Sequence, residues 1–217
     1  GLLDNQVNCI YEDSNSDLWF GCTGGISKFN GTEFFSYPFD QLDENYMVLD
    51  IVEGAPGELL VATNGNGLMR FLESTGEFER INEFANDAFV RKLLKTQDGD
   101  LLIGSRNGVT RVVDFDFDQQ KKVLSDISVS DIIVEPAGNI WLSSFGDGIF
   151  LLKEDNQLQV TEQQGLQNNF VRELALDATG HLWVASRSGL NKVSPEGKPV
   201  FNTNIGLNYD NIKTLFI

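Results

Sequence analysis

A chain of 217 residues with 41% hydrophobic side chains carries enough apolar material to build a packed core, which excludes a disordered polar chain. Its 16 Lys and Arg against 32 Asp and Glu leave a formal net charge of −16, which argues against nucleic acid and anionic membrane surfaces as partners, because both need clustered cations. No apolar run approaches the roughly 20 residues of a membrane helix, and the opening GLLDNQVNC has no signal-peptide pattern and already lies inside a repeat, so an excised piece of a longer chain is expected.

In chain order, a first strand is predicted where Val7 and Ile10 set a V-x-x-[IL] spacing. The turn DSNSD (Asp13 to Asp17) follows, then a second strand LWFGC, a Gly-led third strand GISKF and a fourth, EFFSY. The same unit returns around the turns GAPGE, TQDGD, EPAGN and DATGH, with second strands LLVAT, LLIGS, IWLSS and LWVAS. Those second strands are almost continuously apolar, as strands covered on both faces must be. Their Trp/Leu slot falls at 19, 60, 102, 141 and 183, spacings of 41, 42, 39 and 42 residues, the period of a four-stranded propeller blade.

The expected fold is therefore all-β: propeller blades of four antiparallel strands over 5–38, 46–82, 88–125, 127–162 and 169–203, then the first strand of a sixth over 209–217. A sixth apolar strand has no slot in a closed five-bladed ring and would present an unpaired edge, so an open or partial propeller is predicted. Trp19, Trp141 and Trp183, with Leu60 and Leu102 in the same slot, read as packing between blades. Truncating a buried Trp to Ala typically costs about 3–5 kcal/mol. Two positions on, a column of small residues (Gly21, Ala62, Gly104, Ser143, Ala185) lets neighbouring strands approach closely near the axis.

No catalytic constellation emerges. The single histidine, His181, occupies a variable turn position, and no carboxylate pair stands out for acid–base work. Asp114, Asp116 and Asp118 alternate with Phe115 and Phe117 as in a half-exposed strand or an irregular loop. DSNSD lacks the Gly and the terminal Glu of a calcium loop, and no metal or cofactor is expected. Cys9 and Cys22 fall directly opposite one another if the first hairpin centres on Asn15-Ser16. There they form either a disulfide or two buried small hydrophobes, Cys22 standing in the Ser/Thr column.

The pattern V-x-x-[IL]-x-x-D-x-x-G-x-L-W-[IVF]-[AG]-[ST]-x-x-G-[IL]-x-[KR]-[FV], best kept from Val171 to Val193, resembles the two-component-regulator propeller repeat. So does the lead-in GL-x-x-N at Gly165 to Asn169 and at Gly1 to Asn5. The departures are Leu60 and Leu102 for Trp, and Gly54 and Thr96 for the acid found at Asp13, Glu135 and Asp177. The resemblance implies the periplasmic sensor region of a membrane-bound hybrid histidine kinase of Bacteroidetes type, which detects oligosaccharides and controls glycan-degradation genes. It further implies the remaining propeller blades of a parent protein and a homodimer as partners, with no direct membrane contact through this region and with kinase chemistry elsewhere in the chain.

In a propeller the starts of first strands and the turns from second to third strands share the face around the channel mouth. There Arg91 with Arg106, and Arg172 with Arg187, form pairs each 15 residues apart, and Phe145 occupies an equivalent turn. Guanidinium forks suit carboxylates or sulfates, including those of an acidic oligosaccharide, and Phe145 suits a sugar ring. The plainer alternative is that these arginines form ordinary ion pairs with Glu173, Asp131 or Asp147. A lyase-like propeller enzyme and a protein-interaction scaffold are the competing functional readings.

Overall fold

A computed structural model describes residues 1–39, 46–81, 87–154, 156–203 and 211–215. Twenty strands form five four-stranded antiparallel sheets. The first contains β1 (Val7–Glu12), β2 (Leu18–Cys22), β3 (Gly25–Phe29) and β4 (Phe34–Pro38), and the second β5 (Val48–Glu53), β6 (Glu58–Thr63), β7 (Leu68–Leu72) and β8 (Glu77–Arg80). The third contains β9 (Val90–Lys95), β10 (Leu101–Ser105), β11 (Gly108–Val112) and β12 (Gln120–Ser125). The fourth is β13 (Val129–Val134), β14 (Ile140–Ser144), β15 (Ile149–Lys153) and β16 (Asn156–Val160), and the fifth β17 (Val171–Leu176), β18 (Leu182–Ser186), β19 (Gly189–Val193) and β20 (Pro199–Thr203). Each sheet is a propeller blade, so the fold is all-β as the repeat requires. Among the described residues no helix is long and apolar enough to cross a membrane.

The chain divides into two compact units, Gly1–Arg106 with Thr110–Lys122, and Asn107–Val109 with Val123–Ile217. In the first unit one core joins blades 1 and 2 through Trp19, Ile26, Val48, Ile51, Val61 and Phe71. A second joins blades 2 and 3 through Leu60, Leu68, Val90, Leu93 and Ile103. In the second unit Trp141, Leu151, Val171, Leu174, Leu182 and Val184 join blades 4 and 5.

The first hairpin of every blade closes in one way. The residue that follows the first strand donates its N–H to the carbonyl four residues on: Asp13 to Asp17, Gly54 to Glu58, Thr96 to Asp100, Glu135 to Asn139 and Asp177 to His181, at 2.8–3.0 Å. The fourth turn residue is left-handed, and Gly57, Gly99, Gly138 and Gly180 supply it at φ 77–92° while Ser16 does so at φ 63°. The small column has the steric cause expected of it at Gly21, where an added Cβ would sit 2.6 Å from Val48 Cγ1.

One device was not anticipated. All five pairings of first with second strand shift register at the same place, between Val7 and Cys9, Val48 and Asp50, Val90 and Lys92, Val129 and Asp131, and Val171 and Glu173. Each shift is a β-bulge that leaves one extra residue, Asn8, Leu49, Arg91, Ser130 or Arg172. The bulge explains how a spacing of three places two residues on one face of a strand, since Val48 and Ile51 are 0% and 3% exposed and Val129 and Ile132 are 0% and 1%. It also corrects the cysteine geometry. The first hairpin centres one half-residue earlier than assumed, Cys9 faces Gly21, Cys22 faces Val7, and both thiols are free.

Candidate functional site

The site is built by the ends of the second strands. After three of them, in blades 1, 2 and 4, the next residue pairs with the residue before the following blade's first strand, in the bridges Thr23–Met47, Asn64–Phe89 and Phe145–Phe170. Within a blade the same turn residue donates its N–H back to that blade's own lead residue: Arg106 to Phe89 O at 3.1 Å, and Arg187 to Phe170 O at 3.0 Å. The turn itself is held by the Ser/Thr column. Thr63 Oγ1 donates to Gly67 O at 2.8 Å and accepts from Asn66 N at 3.0 Å, and Ser144 and Ser186 donate in the same way to Gly148 and Gly189. Where that column has Cys22, the thiol lies 3.7 Å from Phe20 O instead.

In the second unit this scaffold brings three of the five expected site residues around one ring. Phe145 and Phe170 lie with centroids 4.7 Å apart at 35°. The Arg172 and Arg187 guanidiniums stand 5.6 Å and 5.4 Å from the Phe170 centroid. Arg172 is the bulge residue of β17, and bulges re-aim the side chain they insert. Its Nε donates to Asn211 Oδ1 at 3.1 Å. In the first unit Arg106 sits over a different ring, its guanidinium 3.7 Å from the Phe89 centroid. Arg91, the bulge residue of β9, is close enough to Arg106 that, after burial, the second guanidinium lowers its pKa.

Two of the carboxylates offered above as ordinary partners accept from backbone N–H groups. Asp131 Oδ2 accepts from Leu174 N at 2.9 Å, and Glu173 Oε2 accepts from Leu215 N. Among the described residues no carboxylate lies in ion-pair reach of Arg106, Arg172 or Arg187. The two central rings, Phe89 and Phe170, were missed, although the tripeptide Phe-Val-Arg stands at 89–91 and again at 170–172. Asn211 was also missed. It lies in the stretch 211–215, the described part of the expected opening strand over 209–217.

The other groups have local roles. His181 Nδ1 lies 2.9 Å from Thr179 Oγ1, and its N–H donates to Asp177 at 3.1 Å, so the imidazole belongs to its hairpin turn. Val113–Phe115 form a short 3-10 turn with Asp114 at φ 49°, an irregular connection rather than a strand. Burial, then the nearby Asp50 carboxylate, pushes the Cys9 thiol up to about 12. Among the described residues no three His, Cys, Asp or Glu converge as metal ligands. Two open grooves lie away from the arginines, one lined by Leu151, Lys153, Leu158 and Glu196 and the other by Asn139 and Glu154 among others.

The repeat has relatives. The family model described as two component regulator propeller matches residues 1–24, and the pattern of that segment returns in the four blades that follow, so the chain carries this repeat. Histidine kinase P4 of Formosa agariphila is 28% identical over 166 residues, 68% of this chain but only 12% of the relative's length. An extracellular domain from B. thetaiotaomicron assigned to a hybrid two component system shares the fold with a TM-score of 0.74 at 18% identity, covering 95% of this chain and 32% of that one. A virginiamycin B lyase from Staphylococcus aureus shares it too, with a TM-score of 0.72 at 13% identity, covering 95% and 72%. Likeness at that level of identity shows the fold, which hosts both an extracellular domain of a two component system and an enzyme.

Proposed function

We propose that this chain is a noncatalytic, ligand-sensing part of the periplasmic region of a membrane-bound hybrid two-component sensor histidine kinase. It detects an oligosaccharide and signals to glycan-utilisation genes. The observation that carries the reading is the convergence of rings and guanidiniums beside the second-to-third-strand turns, at Phe145, Phe170, Arg172 and Arg187. Aromatic faces and fixed donor forks are the groups by which a protein holds a sugar without transforming it. The similarity to a histidine kinase and to an extracellular domain assigned to a hybrid two component system supports this reading.

Phosphotransfer then belongs to other segments of the whole protein, as does the membrane anchor. The remaining blades and a second copy of the sensor are the partners through which binding becomes repacking across the membrane. The test uses the whole sensor in membrane vesicles, challenged with a panel of defined oligosaccharides. One class is expected to bind and to change autophosphorylation while being recovered chemically intact. Recovery of a cleaved or eliminated saccharide would favour the enzyme reading, and binding without any change in phosphorylation would remove the signalling role.

A further inference from the structure

Two of the five blades depart from the others in the same three residues at once. Blades 3 and 5 have Phe89-Val90-Arg91 and Phe170-Val171-Arg172, where the others have Gln6-Val7-Asn8, Met47-Val48-Leu49 and Ser128-Val129-Ser130. The same two blades place a second arginine, Arg106 or Arg187, 15 residues later. In blade 5 the bulge and the strand-end turn bring both arginines onto the Phe170 ring, and in blade 3 the turn brings Arg106 onto Phe89.

Two guanidiniums over one ring repel each other, and the chain has twice as many acids as bases with which to neutralise them. Yet Glu173, beside Arg172 in sequence, accepts from Leu215 N, and Asp131 accepts from Leu174 N. Arg187 is exposed, so its position over Phe170 is imposed by backbone geometry rather than by burial. Asn211 Oδ1 already accepts from Arg172 Nε, which fixes the plane of that guanidinium. What such a pair lacks is an oxyanion, and what the stacked Phe145 and Phe170 provide beside it is a wall for a pyranose face.

Resting on the sensor reading for the saccharide nature of its ligand, we propose that Phe145, Phe170, Arg172 and Arg187 form a subsite for an anionic sugar residue. The arginines take its carboxylate or sulfate ester and the phenylalanines its ring. Phe89, Arg91 and Arg106 repeat the arginine and ring chemistry within the other unit.

The complete periplasmic region is titrated calorimetrically with an oligogalacturonate, its carboxyl-reduced neutral counterpart, a sulfated galactan oligosaccharide and its desulfated counterpart. One anionic probe is expected to bind at least tenfold more tightly than its neutral partner, and which of the two does so distinguishes uronate from sulfate ester. Arg172→Ala with Arg187→Ala is expected to abolish that preference. Arg187→Lys, which keeps the charge at an exposed position, is expected to lose affinity several-fold because an ammonium cannot make the bidentate contact. Lys153→Ala, which removes one positive charge elsewhere in the same unit, is expected to leave it unchanged.

Equal affinity for charged and neutral partners, or an unchanged preference in the double arginine variant, overturns the subsite and leaves the sensor standing. If no saccharide binds but inorganic sulfate raises the melting temperature of the wild type and not of the double variant, the anion site stands and the sugar-sensing reading falls. If sulfate has no arginine-dependent effect either, both fall.

Discussion

At the residue scale the departures from the repeat explain one another. Trp19 Nε1 donates to Asp13 at 2.8 Å, Trp141 Nε1 to Glu135 at 2.6 Å and Trp183 Nε1 to Asp177 at 3.2 Å. The two blades with Leu60 and Leu102 in the slot have no indole N–H to satisfy, and there the acid is replaced by Gly54 and Thr96. The slot and the acid thus change together because a buried donor needs an acceptor. Both columns were legible in the five copies, but reading them separately hid the coupling. Trp141 is fully buried, so Glu135→Ala should cost about 1–3 kcal/mol through the orphaned N–H. In a Trp141→Leu background the same change should cost far less. Urea unfolding of the four proteins of this cycle checks it, and additive costs would mean that the pair is not coupled.

At the element scale the bulge does more than aim arginines. The residue after it carries a carboxylate in blades 2 and 4 that binds two strands at once. Asp50 Oδ1 accepts from Ile51 N at 3.1 Å and its Oδ2 from Leu93 N of the next blade at 2.9 Å, and Asp131 repeats this with Ile132 N and Leu174 N, both at 2.9 Å. Glu173 makes the same outward bond to Leu215 N, so the stretch 211–215 is held as a following first strand would be. Ile212 N, which donates to Ser186 O at 3.2 Å, adds a second tie.

The hydrophobic pattern could not show the bulge directly, because a period of two counts faces and not inserted residues. The signal was present nonetheless in the V-x-x-[IL] spacing, which a regular strand cannot bury on one side. Asp131→Ala should leave two buried N–H groups without their acceptor and destabilise by about 2 kcal/mol. Native-state hydrogen exchange should show the Leu174 amide losing protection by more than amides of β18. Asn in place of Asp131 should rescue only part of this, since one of its two polar atoms is a donor. Full rescue by Asn, or no change at Leu174, would remove the carboxylate from this role.

At the scale of the whole molecule, architecture was readable from spacing alone, whereas the placement of the candidate site residues depended on a register that spacing does not report. The charge balance has a consequence of its own. Asp177 is held well below the usual carboxylate range, first by the Lys192 ammonium and then by the Thr179 hydroxyl. In Asp13 and Asp100 burial opposes ionisation most, but the Trp19, Asp17 and Asn15 N–H groups with Lys28 together in the one, and the Asp114 N–H with Arg111 in the other, outweigh it, and both are lowered. For such groups the folded state binds fewer protons than the unfolded one. Their stabilisation is therefore complete above the unfolded Asp value of about 3.9 and is lost as pH falls through the lower folded values.

Asp50 has the opposite sign, because burial raises it, and its contribution is lost as pH rises instead. The net charge of −16 shrinks over the same acid range, which relieves self-repulsion and partly offsets the loss. Single variants separate these effects, since each barely alters the overall charge. Measured by urea unfolding from pH 7 to pH 3, Asp177→Asn should be less stable than the wild type at neutral pH, and the gap should narrow once pH falls below about 4. Asp50→Asn loses an acceptor at every pH, but its stability relative to the wild type should improve as pH rises, because it no longer ionises a buried carboxyl. Parallel pH profiles for the wild type and Asp177→Asn would show that Lys192 does not favour the ionised form in the folded protein.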